Sequence, residues 1–195
     1  CDELLARYRD DERIMHIGGT NFAAPHMKLR TSYWFSHHAW PWGWATWSRA
    51  WQRLDLAMAS WDARQSTFRR TFPSNFGHAF WTPAINEARG PHPTVNSWAY
   101  PWMFTCRSLN GLAILPARNL VENLGFGGDA THTGSDMNRL RLPAEAPGPL
   151  LHPRSVCVDA YNEELLTRVY AGRPIRFRSN LKSRLRIWRD QILDR

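Results

Sequence analysis

The spacing of apolar residues changes period twice within the first twenty positions. Leu4, Leu5 and Tyr8 recur at helical spacing across residues 2–11, with Glu3–Arg7 and Arg7–Asp11 as i,i+4 ion pairs on the same segment. Residues 14–17, Ile-Met-His-Ile, are a short apolar run closed by Gly18-Gly19, which predicts a buried strand. A helix leading into a short apolar strand belongs to an α/β layer. Residues 20–30 read as a loop. Trp44, Trp47 and Trp51, at i, i+3 and i+7, predict a helix opening at position 44, and residues 62–72 predict another. Residues 73–93, punctuated by proline and glycine, read as irregular. Residues 96–109 read as a helix that tolerates Pro101 in its first turn and ends at Gly111. Residues 112–115 then form an apolar strand closed by Pro116, and 119–123 read as a further strand. A loop rich in Gly, Asp, His and Thr covers 125–136. Residues 143–153 hold four prolines and a glycine and read as a linker. Helices are expected over 159–170 and 179–193. No internal repeat is present.

Composition bounds the class. The chain has 195 residues, enough for one domain with a real core or one domain plus a tail, and 43% of them are hydrophobic, which argues against wholesale disorder. No apolar run approaches the ~18 residues of a membrane-spanning helix. The opening Cys1-Asp2-Glu3-Leu4-Leu5 lacks the basic and apolar regions of a signal peptide, and it is not an initiator methionine, so the numbering is expected to begin inside a longer protein or after processing. Cys1, Cys106 and Cys157 are odd in number, far apart and without a CxxC, which gives neither a disulfide framework nor a zinc site and fits a reducing, cytoplasmic setting. The net charge of +8 is uneven: residues 173–195 carry eight Lys and Arg against two Asp, leaving only +2 on the rest. That distribution weakens a nucleic-acid-binding reading of the whole chain.

Tryptophan alters the picture more. Seven of the eleven tryptophans lie between Trp34 and Trp61. Burial in a core is the ordinary fate of each, but so many flat rings in so short a stretch also suit a cleft for pyranose faces or nucleobases.

Three segments share a pattern. The first is Ser32-Tyr33-Trp34-Phe35-Ser36, continuing into Trp42-Gly43-Trp44-Ala45-Thr46-Trp47-Ser48-Arg49-Ala50-Trp51. The second is Asn96-Ser97-Trp98-Ala99-Tyr100-Pro101-Trp102-Met103-Phe104. The third is Asn119-Leu120-Val121-Glu122-Asn123-Leu124-Gly125-Phe126-Gly127-Gly128-Asp129-Ala130-Thr131-His132-Thr133. Their order and content resemble bacterial GT-A glycosyltransferases of the family-2-like, hemolytic-protein-like group, and more distantly the Golgi N-acetylglucosaminyltransferases. The resemblance covers roughly residues 1–135.

It implies an α/β fold, the C-terminal, acceptor-side half of a GT-A domain over residues 1–138, followed by a proline-rich linker (139–158) and a helical basic tail (159–195). It implies transfer of a sugar from a nucleoside-diphosphate donor to a hydroxyl of a glycan or lipid-linked acceptor, in glycan or cell-envelope synthesis. A divalent cation, Mn²⁺ or Mg²⁺, would neutralise the leaving diphosphate. The acidic motif that holds most of that cation's coordination is not among these residues. Gly43 matches the glycine loop that shapes the cleft, Trp42, Trp44 and Trp47 would line or support it, and Trp98 and Trp102 would bind substrate. His132 matches the histidine that contacts metal or diphosphate. Gly127 and its neighbours would present backbone N–H groups to an anion, with Asp129 orienting His132.

One position departs from the pattern. Relatives carry an acid after the first Trp of the second segment, the catalytic base; here it is Ala99, which cannot accept a proton. Asp62, Glu87 and Asp129 stand as other carboxylates. The tail has its own signal: Leu181, Leu185, Trp188 and Ile192 form one helical stripe amid Lys182, Arg184, Arg186 and Arg189, which suits an anionic membrane surface on the cytoplasmic face or a helix docked on the domain. Two readings from other classes remain alongside the enzyme: a non-catalytic carbohydrate-binding or assembly module, and a nucleic-acid binder.

Overall fold

The computed structural model describes residues 1–93, 97–122 and 140–175. They form a mixed α/β arrangement in the order α1 (Asp2–Arg7), β1 (Ile14–Ile17), a 3-10 turn (Ala24–His26), β2 (Tyr33–Ser36), α2 (Ser48–Trp51), α3 (Trp61–Arg70), α4 (Asn75–Ala88), α5 (Ala99–Ser108), β3 (Leu112–Pro116) and α6 (Ala160–Tyr170). The three strands make one sheet in the order β1-β3-β2, with β1 parallel and β2 antiparallel to β3. The expected loop at 125–136, with Gly127, Asp129 and His132, and the expected helix at 179–193 lie outside the described residues.

The sheet is buried on both faces, and strand alternation sorts its side chains. Tyr33 and Phe35 of β2 and Leu112 and Ile114 of β3 point to one side with Ile14 and Ile17. There Leu4 and Tyr8 of α1 cover them, together with Trp47, Leu150, Val156 and Val158. A register irregularity between Ile14 and His16 lets Ile14 and Ile17 share that side. Trp34, Ala113 and Leu115 point to the other side, into a larger core built by Trp61 and Phe68 of α3, Trp81 and Ile85 of α4, Met103 and Phe104 of α5, and Leu165 and Leu166 of α6.

Three expected elements differ from the structure. Residues 73–93 are not irregular: α4 runs fourteen residues through them. Its start is secured by Ser74, whose Oγ accepts the Phe76 N–H, and its buried face is Gly77, Trp81 and Ile85, an i, i+4, i+8 stripe with no charged member. Pro83 sits on the helix but does not end it. The helix expected from position 44 starts only at Ser48. Ala45 exchanges both backbone hydrogen bonds with Ile17, at 2.9 Å each, so residues 44–47 run extended beside β1 and their side chains alternate instead of following a helical stripe. Trp47 therefore packs beside Leu5, donating its indole N–H to the Leu5 carbonyl, while Trp44 turns elsewhere. Residues 119–122 form no strand. Asn119 replaces a ladder there: its side-chain amide donates to the carbonyls of Val121, Leu142 and Pro143, and its Oδ1 accepts the Asn21 N–H.

The proline-rich stretch contains no helix or strand through residues 143–153 and lies along β2. Ser32 and Leu151 exchange two 2.8 Å hydrogen bonds, and the Tyr33 hydroxyl meets Tyr8 Oη at 2.7 Å and His152 Nδ1 at 2.8 Å. Asp159 caps α6 by accepting the N–H groups of Tyr161 and Asn162. Among the described residues no helix is long and apolar enough to cross a membrane.

Candidate functional site

Because β1 and β3 are parallel, their carboxyl ends lie at the same edge of the sheet, the edge where open α/β sheets bind ligands. The chain leaving β1, the chain leaving β3 and the 42–45 segment meet there. The Gly19 N–H donates to the Trp42 carbonyl at 3.2 Å, and the Leu120 N–H donates to the Gly19 carbonyl at 2.9 Å. Gly43 has φ +59°, a conformation that disfavours a side chain, and the space a Cβ would take on Gly43 or Gly19 is filled by Val121. The close approach that glycine permits at 43 is thus made by Val121 of the same chain. Asn21 ties the same edge to β3 by donating to the Pro116 carbonyl at 2.8 Å.

Beside this edge stands a tryptophan cluster. Trp44 packs on Trp98 (ring centroids 4.9 Å apart) and on Trp51 (5.5 Å), and Trp51 packs on Trp102 (5.1 Å). Trp102 is completely buried, so its part is support, whereas Trp51 and Trp98 are 37% and 38% exposed. His16 closes the cluster from beneath. Its ring stacks on Trp44 at 5.7 Å and 10°, its Nδ1 lies 3.1 Å from the Trp102 indole nitrogen, and its Nε2 lies 2.8 Å from the Trp40 carbonyl. An indole nitrogen only donates and a carbonyl only accepts, so His16 carries its proton on Nε2 and accepts at Nδ1. Complete burial lowers its pKa to about 4, and the bond to Trp40 only partly opposes that. The imidazole is therefore neutral at physiological pH.

The structure brings Trp44, Trp98 and Trp102 together, with half-buried Ala99 opening α5 immediately after Trp98. It does not bring Trp42 to them. Trp42 stacks on Trp40 at 6.0 Å and meets Phe22 edge-on, in a second aromatic group that includes Trp81 and Tyr170. Asp62 lies exposed on α3, where its carboxylate accepts from Gln65, and Glu87 lies exposed near the end of α4. Among the described residues no three His, Cys, Asp or Glu side chains come together in a way that could hold a metal ion.

A polar network passed over in the sequence lies deep in the core. The Glu163 carboxylate, fully buried, accepts from Ser36 Oγ (2.6 Å), from the His37 backbone N–H (3.2 Å) and from Arg107 Nη2 (2.9 Å). Arg107 is equally buried; its Nη1 donates to Thr71 Oγ1 and to the Thr71 carbonyl, and its guanidinium lies 3.9 Å from the centre of the Phe72 ring. Burial pulls the Arg107 pKa down to about 10 against the opposing pull of Glu163, which leaves the guanidinium charged at neutral pH. His37 and His38 are held below the ordinary histidine range, chiefly by burial. The network joins β2, α3, α5 and α6 and has no opening to solvent at Glu163 or Arg107. Its mark in the sequence is the acidic pair Glu163-Glu164 directly before Leu165-Leu166.

Compared with known protein families, with curated proteins and with solved structures, the chain matches none of them.

Proposed function

We propose that this chain is the acceptor-side part of a GT-A glycosyltransferase, acting with a nucleoside-diphosphate sugar on a glycan or lipid-linked acceptor. One observation carries the reading. The three segments that share the family pattern are remote in sequence, yet their described parts meet at one place: Gly43 against Val121 and Trp44 against Trp98, at the carboxyl edge of the parallel strands. A cleft there would have an aromatic wall beside the Gly43–Val121 contact, suited to the apolar faces of a sugar. A divalent cation would neutralise the leaving diphosphate when bound; His132 is the residue the pattern offers for it. The basic segment 173–195 would bring the enzyme to an anionic membrane surface.

A second reading has its own support. Ala99 stands at the position of the base, directly after exposed Trp98, so a protein that binds glycans without transferring sugar fits the same wall. Both readings are tested on the chain joined to the sequence encoded upstream of Cys1. Binding of nucleoside-diphosphate sugars with Mn²⁺, followed by turnover, supports the enzyme. Binding without turnover, with Ala99→Asp raising the rate by about 10²–10⁴, supports a copy that has lost its base. No binding of any such donor refutes the glycosyltransferase proposal.

A further inference from the structure

We infer that Trp51 and Trp98 form a stacking corner for one uncharged pyranose unit of a glycan. This inference rests on the carbohydrate reading above only for the class of ligand. The two rings come from different elements, the end of α2 and the entry to α5, and are the two most exposed members of the tryptophan cluster. Their centroids are 5.8 Å apart and their planes meet at 80°. Two flat surfaces at a right angle make a corner in which a six-membered ring lays its C–H face on one indole and its edge against the other. Trp44 backs both rings, and buried Trp102 and His16 fix Trp44 from beneath, so the corner is formed before any ligand arrives and loses little side-chain freedom on binding.

Charge decides between a sugar and the other planar-stacking ligand, a nucleobase. Nucleic-acid stacking sites set their rings in a cationic groove. Here the chain neighbours of the two rings are Ala50, Gln52, Ser97 and Ala99, all uncharged; the Gln52 amide donates to Ser48 Oγ and Ser97 Oγ accepts the Ala99 N–H, and each side chain keeps further hydrogen-bonding capacity for a sugar hydroxyl. Arg49, on the same helix, is turned away: its guanidinium lies over Trp47 at 4.7 Å and donates to the carbonyls of Tyr8, Arg9 and Asp11. Among the described residues Arg53 lines, with Glu12, Met15, Arg49 and Ala50, a cavity of about 100 Å³ at the amino end of β1. A cavity in which a carboxylate accompanies the two guanidiniums is no phosphate track.

The test uses the whole chain and titrates its tryptophan emission with uncharged oligosaccharides of glucose, galactose, mannose and their N-acetylated amino forms, at up to millimolar concentration and with no nucleotide present. At least one series should shift the emission saturably. Trp51→Ala and Trp98→Ala should each weaken that series about tenfold or more, and Trp51→Phe and Trp98→Phe, which keep a flat ring, by less. Near-ultraviolet circular dichroism checks that each variant is folded. No saturable shift with any saccharide, or unchanged affinity in folded Trp51→Ala and Trp98→Ala, overturns the inference. So does a single-stranded oligonucleotide that binds in a Trp51-dependent, salt-sensitive way. Donor binding by the upstream-extended protein reports separately: if it persists while saccharide stacking fails, only the corner is wrong, and if it fails while stacking holds, only the transferase reading is wrong.

Discussion

Removing the carboxylate of Glu163 should be among the most damaging single changes available in this chain. In Glu163→Ala the Arg107 guanidinium stays fully buried and loses the carboxylate that opposes the effect of burial on its pKa, so its charge is left without a partner. The hydroxyl of Ser36 and the backbone N–H of His37 lose their acceptor at the same time. Breaking a buried ion pair from one side costs about 3–5 kcal/mol, and each orphaned neutral donor adds about 1–3 kcal/mol where water cannot reach it. Against a total stability of about 5–15 kcal/mol, the variant sits near the edge of folding. Glu163→Gln keeps the shape and one carbonyl acceptor, so its cost should be about half as large and measurable. The informative comparison is the double variant Arg107→Met, Glu163→Leu. With both charges gone only the neutral donors of Ser36 and His37 stay unpaired there, so the pair of changes should cost less than Glu163→Ala alone, and with the single variants Arg107→Met and Glu163→Leu it gives a coupling of about 2–3 kcal/mol in a double-mutant cycle. Urea unfolding followed by tryptophan emission measures the wild type and each of these variants. If Glu163→Gln costs under about 1 kcal/mol, or the single costs simply add, the two side chains are not coupled in the folded protein and the network as described is wrong.

Two further outcomes follow from the same physical chemistry. His16 has a folded pKa of about 4 against 6.5 unfolded, so the folded state is the one that resists protonation; its contribution is complete above pH 6.5 and fades as pH falls to 4. At about 1.4 kcal/mol per tenfold change in proton affinity that is about 3 kcal/mol of acid sensitivity, with His37 and His38 acting in the same direction, and His16→Gln should flatten the stability-against-pH curve between pH 7 and 4. Gly43→Ala should destabilise by about 1–3 kcal/mol, part from the positive φ and part from collision with Val121, so that adding Val121→Ala restores some of the loss; no recovery would mean that the two do not touch.

What the sequence made legible depended on whether local pattern and tertiary demand agreed. The strands at 14–17 and 112–116 were readable because short apolar runs closed by Gly or Pro have few other uses, and the helix at 160–170 because Asp159 announces it as a cap. The α4 helix was missed because Pro83 and Gly77 count against a helix locally, whereas Gly77 is there to admit the Phe72 ring. The tryptophans at 44 and 47 were misplaced for the opposite reason: their spacing fits a helix, and only the backbone pairing of Ala45 with Ile17 overrides it. Of the candidate site, the resemblance joins Trp44 with Trp98 and Trp102, but Trp51 reads in the sequence only as part of a helical stripe and His16 only as part of a strand. Their roles arise from packing across α2, α5 and β1, which no spacing within one segment encodes.

The Trp98–Ala99 pair separates binding from chemistry in a way the geometry makes concrete. Trp98 is held by Trp44 and Trp51, which are held in turn by buried Trp102 and by a histidine that burial keeps neutral. None of those contacts involves the side chain of residue 99. An acid at that position could therefore be exchanged for alanine without disturbing the wall it stands beside, so loss of a base and retention of a glycan-stacking surface are compatible in one chain. On the glycosyltransferase reading this gives Ala99→Asp a specific signature. It should leave saccharide affinity at the Trp51–Trp98 corner unchanged while raising turnover in the upstream-extended protein. A change in saccharide affinity without a change in turnover would place residue 99 in the wall instead of beside the reacting hydroxyl.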